Sequence, residues 1–172
     1  MPSEILRARI ILLQKTSSRE PTAAEFRPIS LLCTDYKIMA KAVSRRLNKV
    51  MNQLVGPEQT GFIARRSNRK NIAFARDLLE YNRDSTAGRV IAFLDFENAF
   101  DRVSLSFLHA ILRKLGLPDS LISTVQAFYR DAQVKLEING RVGAPFYATR
   151  GVRQGSPLSP ILNALLPLLW EN

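Results

Sequence analysis

An aspartate that directly follows an apolar run is the most informative feature of the sequence. Residues 90–94 read VIAFL, and the run ends at Asp95. A short apolar run without polar alternation is typical of a strand that is covered on both faces. A carboxylate at the end of such a strand reaches into the crevice beyond the sheet, where Mg²⁺ prefers carboxylate oxygens completed by phosphates and water. Asp95 is therefore a candidate ligand for a metal ion that handles phosphates; the alternative, which also applies to Glu97 and Asp101, is a solvated acidic residue.

A second candidate site lies in the loop at residues 150–160, which has the sequence RGVRQGSPLSP. Two glycines leave its backbone free to adopt unusual conformations, and the arginines at positions 150 and 153 supply cationic donors. Gln154 carries an amide that can hydrogen-bond to a base, a sugar or a phosphate. The spacing of the glycines matches neither a Walker loop nor a dinucleotide-binding fingerprint, so a basic surface loop is the alternative.

Basic side chains are concentrated in two places in the first half of the chain. Three of them recur at helical spacing on one face of a predicted helix: Lys37, Lys41 and Arg45. A second cluster follows further along the chain: Arg65, Arg66, Arg69 and Lys70. By default such residues form the solvated side of a helix, but an anionic polymer such as nucleic acid gives a reason for like charges at this density.

Composition and charge narrow the function classes. The 172 residues include 25 Lys and Arg against 15 Asp and Glu, so the net charge is +10 and nucleic acid is the favoured partner, with a membrane surface or an acidic protein left open. The average globular composition excludes wholesale disorder, and the length fits one domain or a piece of a larger one. A single histidine, His109, and a single cysteine, Cys33, leave no zinc set, no internal disulfide and no supported catalytic triad. No window approaches the roughly 18–20 apolar residues of a membrane span, and the first residues lack the pattern of a signal peptide.

The residues that could do chemistry need elements to position them, and the sequence predicts both strands and helices. An apolar run at residues 7–14 indicates a first strand, and residues 35–54 have the apolar spacing of a helix. The predicted inward face of that helix consists of Met39, Val43, Leu47, Val50 and Leu54. A second helix is predicted at residues 67–81, and its inward face consists of Ile72, Ala75 and Leu79.

The second half of the chain continues with helices and a hairpin. Two helices are predicted, at residues 104–115 and 120–130. Residues 134–138 alternate apolar and charged side chains, and the Asn-Gly pair at positions 139 and 140 is the strongest short signal for a hairpin turn. Together with the strand predicted at residues 90–94, this order is that of an α+β fold with mixed connectivity.

Four strings in the sequence resemble the motifs of one protein family. They are FRPISLL (26–32), QTGFIARRS (59–67), FLDFENAFD (93–101) and GVRQGSPLSP (151–160), in this order. Four strings in the order of the family, with the hairpin sequence LEING between the last two, form a specific pattern. Together they resemble the reverse transcriptase of non-long-terminal-repeat (LINE-type) retrotransposons. The resemblance extends from about residue 10 to residue 160, and the final residues match more loosely.

This resemblance implies an α+β fold that is a partial right-hand polymerase, with fingers and an incomplete palm. Residues 1–88 would be a fingers-like region with basic helices, and residues 89–172 a partial palm that carries LDFENAFD and RQGSPLSP. The implied reaction is RNA-directed DNA synthesis, in which a primer 3′-hydroxyl attacks the α-phosphate of a deoxynucleotide with the help of two Mg²⁺ ions. The implied partners are an RNA template, a DNA primer and deoxynucleotide triphosphates, with no membrane. The implied location is intracellular, either nucleus or cytoplasm.

The resemblance also assigns roles to individual residues of the candidate active site. Asp95 matches the first metal-binding aspartate of the family, and the carbonyl of Phe96 matches the backbone ligand beside it. Phe100 matches the aromatic platform under the incoming sugar, where a 2′-hydroxyl would clash. Gln154 and Gly155 match the loop that packs against the nascent base pair.

Cations in the fingers-like region are assigned to the substrate and to nucleic acid. Arg27 matches a position near the triphosphate or the template backbone, and Arg65 and Arg66 match the same region less closely. Lys41 and Arg45, on the predicted helix at residues 35–54, complete the expected nucleic-acid-binding set. Asp101 also matches a position of the family, but no metal ion is assigned to it.

One departure from the family bears on activity. The next motif of the family, an aromatic residue followed by an Asp-Asp pair, has no counterpart here, because the chain contains no Asp-Asp pair. One aspartate does not hold two Mg²⁺ ions against their preference for hydration. We therefore expect a fragment of a reverse transcriptase that is inactive alone, in which the strand that leads to Asp95 lacks a neighbour and exposes apolar surface. The alternative is a non-catalytic basic module that binds RNA or DNA, and the oligomeric state stays open in both cases.

Overall fold

A four-stranded sheet joins segments from the two ends of the chain. The computed structural model describes residues 1–15, 17, 19–83 and 90–166. The strands are β1 (Ala8–Gln14), β2 (Phe26–Leu32), β3 (Gln133–Ile138) and β4 (Arg141–Tyr147). Their order in the sheet is β2-β1-β3-β4, with β1 antiparallel to β2, parallel to β3, and β3 antiparallel to β4. The sheet therefore places the start of the chain against a hairpin that lies far along the sequence.

Local sequence explains two features of this sheet, the edge position of β2 and the turn between β3 and β4. β2 contains Pro28, which has no N–H for a ladder hydrogen bond, and β2 is an edge strand, where proline is tolerated. The turn between β3 and β4 is formed by Asn139 and Gly140, whose φ angles are 50° and 75°. Two positive φ angles define the turn that matches the twist of a hairpin, so the hairpin prediction is confirmed.

Seven helices and one short 3₁₀ turn are present in the described part of the chain. The helices are α1 (Ser3–Leu6), α2 (Thr34–Asn48), α3 (Met51–Leu54), α4 (Arg69–Tyr81), α5 (Leu105–Lys114), α6 (Asp119–Tyr129) and α7 (Ser159–Ala164), and the 3₁₀ turn is Ala23–Glu25. α5 begins where the sequence predicts, because the Oγ of Ser104 accepts a hydrogen bond from the amide of Phe107 at 3.4 Å. Within the described ranges, no helix has the length and apolarity that crossing a membrane requires.

The core lies where α2, α5, α6 and α7 meet one face of the sheet. α5 packs against α6, and α2 packs against α7. The rings of Tyr36 on α2 and Phe128 on α6 are both buried and meet edge to face, with centroids 5.1 Å apart. Edge-to-face pairs bring the positive ring edge to the negative ring face, so this contact adds to the burial of both side chains.

The helix predicted at residues 35–54 is divided into two. The amides of Lys49 and Val50 donate to the carbonyls of Arg46 and Leu47, three residues earlier, so the regular α-helical ladder is interrupted after Asn48. Val43 and Leu47 are buried as predicted, but Met39, Val50 and Leu54 are only half-buried. The buried face of α2 instead consists of Tyr36, Ala40, Val43, Ser44 and Leu47.

The inward face predicted for the second helix is wrong. α4 forms close to the predicted bounds, but none of its residues is buried. Ile72 and Leu79 are 68% and 56% exposed, and Phe74 is exposed as well. Periodicity identifies the apolar face of a helix, whereas burial of that face needs a neighbouring element, and none of the described elements covers α4.

The buried strand predicted at residues 90–94 is also wrong. No strand forms there, and Val90 and Leu94 are 88% and 87% exposed. An apolar run becomes a strand only when a partner strand satisfies its backbone, and no strand within the described ranges pairs with it. The exposure of this run agrees with the expectation that apolar surface lies open beside Asp95.

Candidate active site

A cavity of about 560 Å³ brings together residues that are distant in sequence. Five of the residues predicted from the motifs line it: Arg27, Asp95, Phe96, Phe100 and Gln154. They come from β2, from the segment after residue 94 and from the loop before α7, so three separate parts of the chain build one site. Gly155, Lys41, Arg45, Arg65 and Arg66 are not among the lining residues.

Lys15 is a lining residue that the sequence did not single out. It follows β1 directly, and its Nζ donates to the carbonyl of Ala24 at 3.0 Å. The pairing of β1 with β2 therefore places two exposed cations, Lys15 and Arg27, at the same cavity. A lysine after a predicted strand is too common a pattern to have identified it in advance.

Two carboxylates, those of Asp95 and Glu97, belong to residues that line both this cavity and a second one of about 720 Å³. The carboxylate of Glu97 is engaged by Arg102, whose guanidinium nitrogen lies 2.9 Å from Oε2. Asp95 is exposed, and within the described ranges no side chain pairs with its carboxylate. Of these two carboxylates, that of Asp95 is therefore the one open to a ligand.

The loop that carries Gln154 is held from both sides by backbone hydrogen bonds. The amide of Val152 donates to the carbonyl of Phe100 at 2.7 Å, and the amide of Gly151 donates to the carbonyl of Val103 at 2.8 Å. On the other side, the amide of Ser30 in β2 donates to the carbonyl of Gln154 at 2.7 Å. The loop therefore ties β2 to the segment that carries Phe100.

The glycines of this loop are required by close approach and by their positive φ angles. A Cβ on Gly151, whose φ is +88°, would lie 2.9 Å from the carbonyl oxygen of Asp101. A Cβ on Gly155, whose φ is +108°, would lie 2.7 Å from the carbonyl oxygen of Ser30. Both distances are shorter than real Cβ contacts, so only glycine lets the loop dock this closely.

The side chain of Gln154 is fixed by an acidic residue. Its Nε2 donates to Oδ2 of Asp101 at 2.9 Å. Burial raises the pKa of the Asp101 carboxyl, while the hydrogen bond from Gln154 and the positive charge of Lys15 act in the opposite direction. Asp101 does not line the cavity of about 560 Å³, but its carboxylate contacts Gln154, which does.

Arg153 does not supply a cationic donor to the site, contrary to the sequence-based expectation. It is buried, with 8% of its surface exposed, and one guanidinium nitrogen donates to the carbonyl of Leu6 at 2.7 Å. The guanidinium carbon lies 5.1 Å from the centroid of the Tyr36 ring. Burial disfavours the charged form of Arg153 and lowers its pKa. The Tyr36 ring and the Leu6 carbonyl offset part of the cost of burying the charge. Arg153 therefore anchors the loop to the start of the chain, whereas Arg150 is exposed.

Arg66 is likewise occupied within the chain. All five of its N–H donors meet acceptors: Oδ1 and the carbonyl of Asn52, and the carbonyls of Val55, Gly56 and Gln59. Several of these carbonyls follow the end of α3, where backbone acceptors lack helical partners. Its neighbour Arg65 is exposed with a φ of 67° and is available for contact with a phosphate.

The described residues do not by themselves complete a site for two Mg²⁺ ions. No group of three His, Cys, Asp or Glu side chains converges anywhere in the described ranges. Asp95 offers one carboxylate and Phe96 a backbone carbonyl, while the carboxylates of Glu97 and Asp101 are engaged by Arg102 and Gln154. These two donors suit a hard cation but fall short of a complete coordination shell.

Comparisons with known proteins identify the family to which this chain belongs. Residues 13–166 match the family described as "Reverse transcriptase (RNA-dependent DNA polymerase)". The chain is 36% identical over 165 residues to the transposon TX1 uncharacterized 149 kDa protein of Xenopus laevis, covering 96% of this chain and 12% of that protein. It is 31% identical over 163 residues to the Pol polyprotein of the type-2 retrotransposable element R2DM of Drosophila melanogaster, covering 94% of this chain and 15% of that protein.

A solved structure shares the fold. The apo telomerase of Candida tropicalis, truncated from its C-terminal domain, superposes with a TM-score of 0.61 at 14% identity and covers 99% of this chain and 40% of that one. This likeness supports a right-hand polymerase fold of the α+β class. The family match covers most of the chain, and both relatives named above come from transposable elements. The chain therefore belongs to the reverse transcriptase family and is of the LINE type.

Proposed function

We propose that this chain is the part of a retroelement reverse transcriptase that receives the incoming deoxynucleotide and the template, within RNA-directed DNA synthesis. The observation that carries the proposal is the cavity that collects Arg27, Asp95, Phe100 and Gln154 from separate segments. A triphosphate, a sugar and a base pair each need a different chemical group, and this cavity offers cations, a carboxylate, an aromatic ring and an amide. The chain spans 12–15% of the length of the two relatives named above, so the activity of the whole protein is part of the proposal.

Different residues at the cavity would bind different parts of the nucleotide, according to their chemistry. Lys15 and Arg27 supply positive charge for the triphosphate, and Phe100 supplies the flat surface on which a deoxyribose would rest. Asp95, with the carbonyl of Phe96, would supply ligands to Mg²⁺, which stabilises the charge on the attacking and leaving oxygens when it is bound. Because the described residues do not complete a two-metal site, we expect this 172-residue chain alone to synthesise no DNA.

Template binding would rest on exposed cations outside the cavity. Lys41 and Arg45 lie on the solvent-facing side of α2, and Arg65 is exposed after α3. The net charge of +10 favours association with a polyanion at moderate salt. We propose an RNA template and a DNA primer as the partners of this surface.

A primer-extension assay with an RNA template and Mg²⁺ tests the expected inactivity of the chain. We expect no extension by the 172-residue chain, and robust extension would contradict this. Asp95→Asn in a longer version that supports synthesis should abolish extension and leave RNA binding largely intact, with Asp119→Asn on α6 as the control. Synthesis that survives Asp95→Asn would show that the metal assignment is wrong.

A non-catalytic module that binds RNA or DNA is the second candidate function. Two observations favour it: the incomplete metal site and the exposed basic face of α2. In this case RNA binding by the chain would depend on salt. Neither Asp95→Asn nor the addition of deoxynucleotides would change the affinity for RNA. Saturable, Mg²⁺-dependent deoxynucleotide binding by the chain would favour the first proposal instead.

A further inference from the structure

The side-chain amide of Gln154 has a defined polarity in this structure. An ionised carboxylate only accepts hydrogen bonds, so the amide group that faces Asp101 at 2.9 Å is the nitrogen. The oxygen of a planar amide lies on the opposite branch from its nitrogen. Gln154 lines the candidate cavity, whereas Asp101 does not, so the partner of the amide nitrogen stands outside the cavity.

The backbone around this pair leaves little freedom except in the two side chains. The carbonyl of Gln154 is fixed to β2 by the amide of Ser30, and Gly151 packs with its Cα against the backbone of Asp101. The amide of Asp101 donates to the carbonyl of Asn98 at 2.9 Å, which closes the turn that carries it. With both backbones fixed, the hydrogen bond between the side chains decides which end of the Gln154 amide is presented to the cavity.

We propose that Asp101 is a positioning residue that makes Gln154 a hydrogen-bond acceptor toward the bound nucleotide. This inference rests on the proposed function of the cavity. An acceptor oxygen selects donor groups, which are the hydroxyl of a deoxyribose or an N–H of a base. It does not select phosphate oxygens, which are acceptors themselves. Gln154 therefore reads the nucleoside part of the substrate, and the triphosphate is left to Lys15 and Arg27.

Two substitutions of the same residue separate the hydrogen bond from the charge. Asp101→Ala removes both, whereas Asp101→Asn removes the charge and keeps an oxygen that can accept from Gln154. Gln154→Glu places two carboxylates against each other, and the double variant Asp101→Asn/Gln154→Glu restores one donor and one acceptor with the polarity reversed. A positioning role predicts that the double variant recovers the deoxynucleotide binding that Gln154→Glu alone loses.

The first readout is the side-chain amide of Gln154 in the NMR spectrum of the full 172-residue chain, assigned by its absence in Gln154→Ala. We expect Asp101→Ala to move both amide proton signals to the positions of a solvent-exposed glutamine. Asp101→Asn should keep them near the wild-type positions, and the control Asp119→Ala on α6 should change nothing. Unchanged Gln154 signals in Asp101→Ala would overturn the proposal, whether or not the chain binds a nucleotide.

The second readout compares two probes by NMR titration: a deoxynucleotide triphosphate and inorganic tripolyphosphate. Loss of one hydrogen bond should weaken binding of the deoxynucleotide to Asp101→Ala by about fivefold relative to Asp101→Asn, which has the same charge. Binding of tripolyphosphate should be equal in these two variants. Equal deoxynucleotide binding in the two variants would overturn the proposal. Failure of the wild-type chain to bind either probe would count against the proposed function, and the spectrum of Gln154 would then decide the positioning role alone.

Discussion

The backbone amide of Ser30 and the backbone carbonyl of Gln154 are joined by a 2.7 Å hydrogen bond, which fastens the loop before α7 to the edge strand β2. This bond brings Arg27 and Gln154 to the same cavity although they belong to distant motifs. The contact is possible only because the neighbouring residue, Gly155, has no side chain. The geometry of the site thus depends on a contact between two backbone groups, which requires glycine at position 155.

Gly155→Ala should therefore destabilise the protein and loosen the loop. The added Cβ would meet the carbonyl oxygen of Ser30 at 2.7 Å, and φ of +108° is strained for any residue with a side chain. We expect a loss of about 1–3 kcal/mol in the free energy of unfolding, measured by urea titration. Gly143→Ala in β4 is the matched control, because its Cβ would make only an ordinary 3.5 Å contact. Equal stability of the two variants would contradict this account of the loop.

Arg65 and Arg66 are adjacent, and we predict opposite consequences for their removal. Arg66→Ala leaves carbonyls after α3 without donors and should cost about 1–3 kcal/mol of stability, since half-buried acceptors would lose their partners. Arg65→Ala should leave stability unchanged and weaken RNA binding. Thermal unfolding and RNA titration of both variants check this, and an Arg66→Ala protein of wild-type stability would show that its hydrogen bonds contribute nothing.

Stability should depend on pH through Asp101. Its folded-state pKa is raised by burial above the ordinary value of about 3.9, so ionisation is harder in the folded than in the unfolded chain. The contribution of Asp101 to folding stability is therefore complete below about pH 4, and it is lost as the pH rises through the raised pKa. We expect wild type to lose stability relative to Asp101→Asn over that interval.

Lys15 and Gln154 are the groups that oppose this shift. Lys15→Met should raise the pKa of Asp101 further and move the interval to higher pH. Chemical denaturation at a series of pH values measures the difference between variants. Parallel stability profiles of wild type and Asp101→Asn would contradict the prediction.

The exposed face of α2 should govern the salt dependence of RNA binding. Each phosphate contact that is lost reduces the slope of log K against log salt by roughly 0.7–0.9. Lys41→Gln/Arg45→Gln should therefore reduce the slope by about 1.4–1.8 in total. Lys114→Gln/Arg130→Gln is a control pair with the same change in charge. Lys114 is the last residue of α5, and Arg130 directly follows α6. Equal slopes for both pairs would mean that RNA does not select α2.

The sequence motifs predicted which residues lie near one another better than apolar spacing predicted which side chains are buried. Arg27, Asp95, Phe100 and Gln154 were identified from motifs, and all four line one cavity. The bond between Asp101 and Gln154 was not predictable, because it depends on how two loops approach each other in space. Lys15 was missed for the same reason, since its position at the cavity follows from the pairing of β1 with β2.

Errors about burial have a common physical origin. The spacing of Ile72 and Leu79 correctly predicted a helix, whereas the apolar run at residues 90–94 wrongly predicted buried side chains. Neither pattern contains the partner that would cover these side chains. Arg153 shows the reverse case, because a charged residue in a glycine-rich loop is buried by the ring of Tyr36 and the carbonyl of Leu6.

The parallel pairing of β1 with β3 has a consequence for how the protein folds. Ala8 lies opposite Val134, so the first strand can pair with its parallel neighbour β3 only after most of the chain has been synthesised. Long-range parallel pairing of this kind has high contact order and predicts slow folding. Two polypeptides that comprise residues 1–88 and 89–172 would each hold half of the sheet, and we expect them to become ordered only when they are mixed.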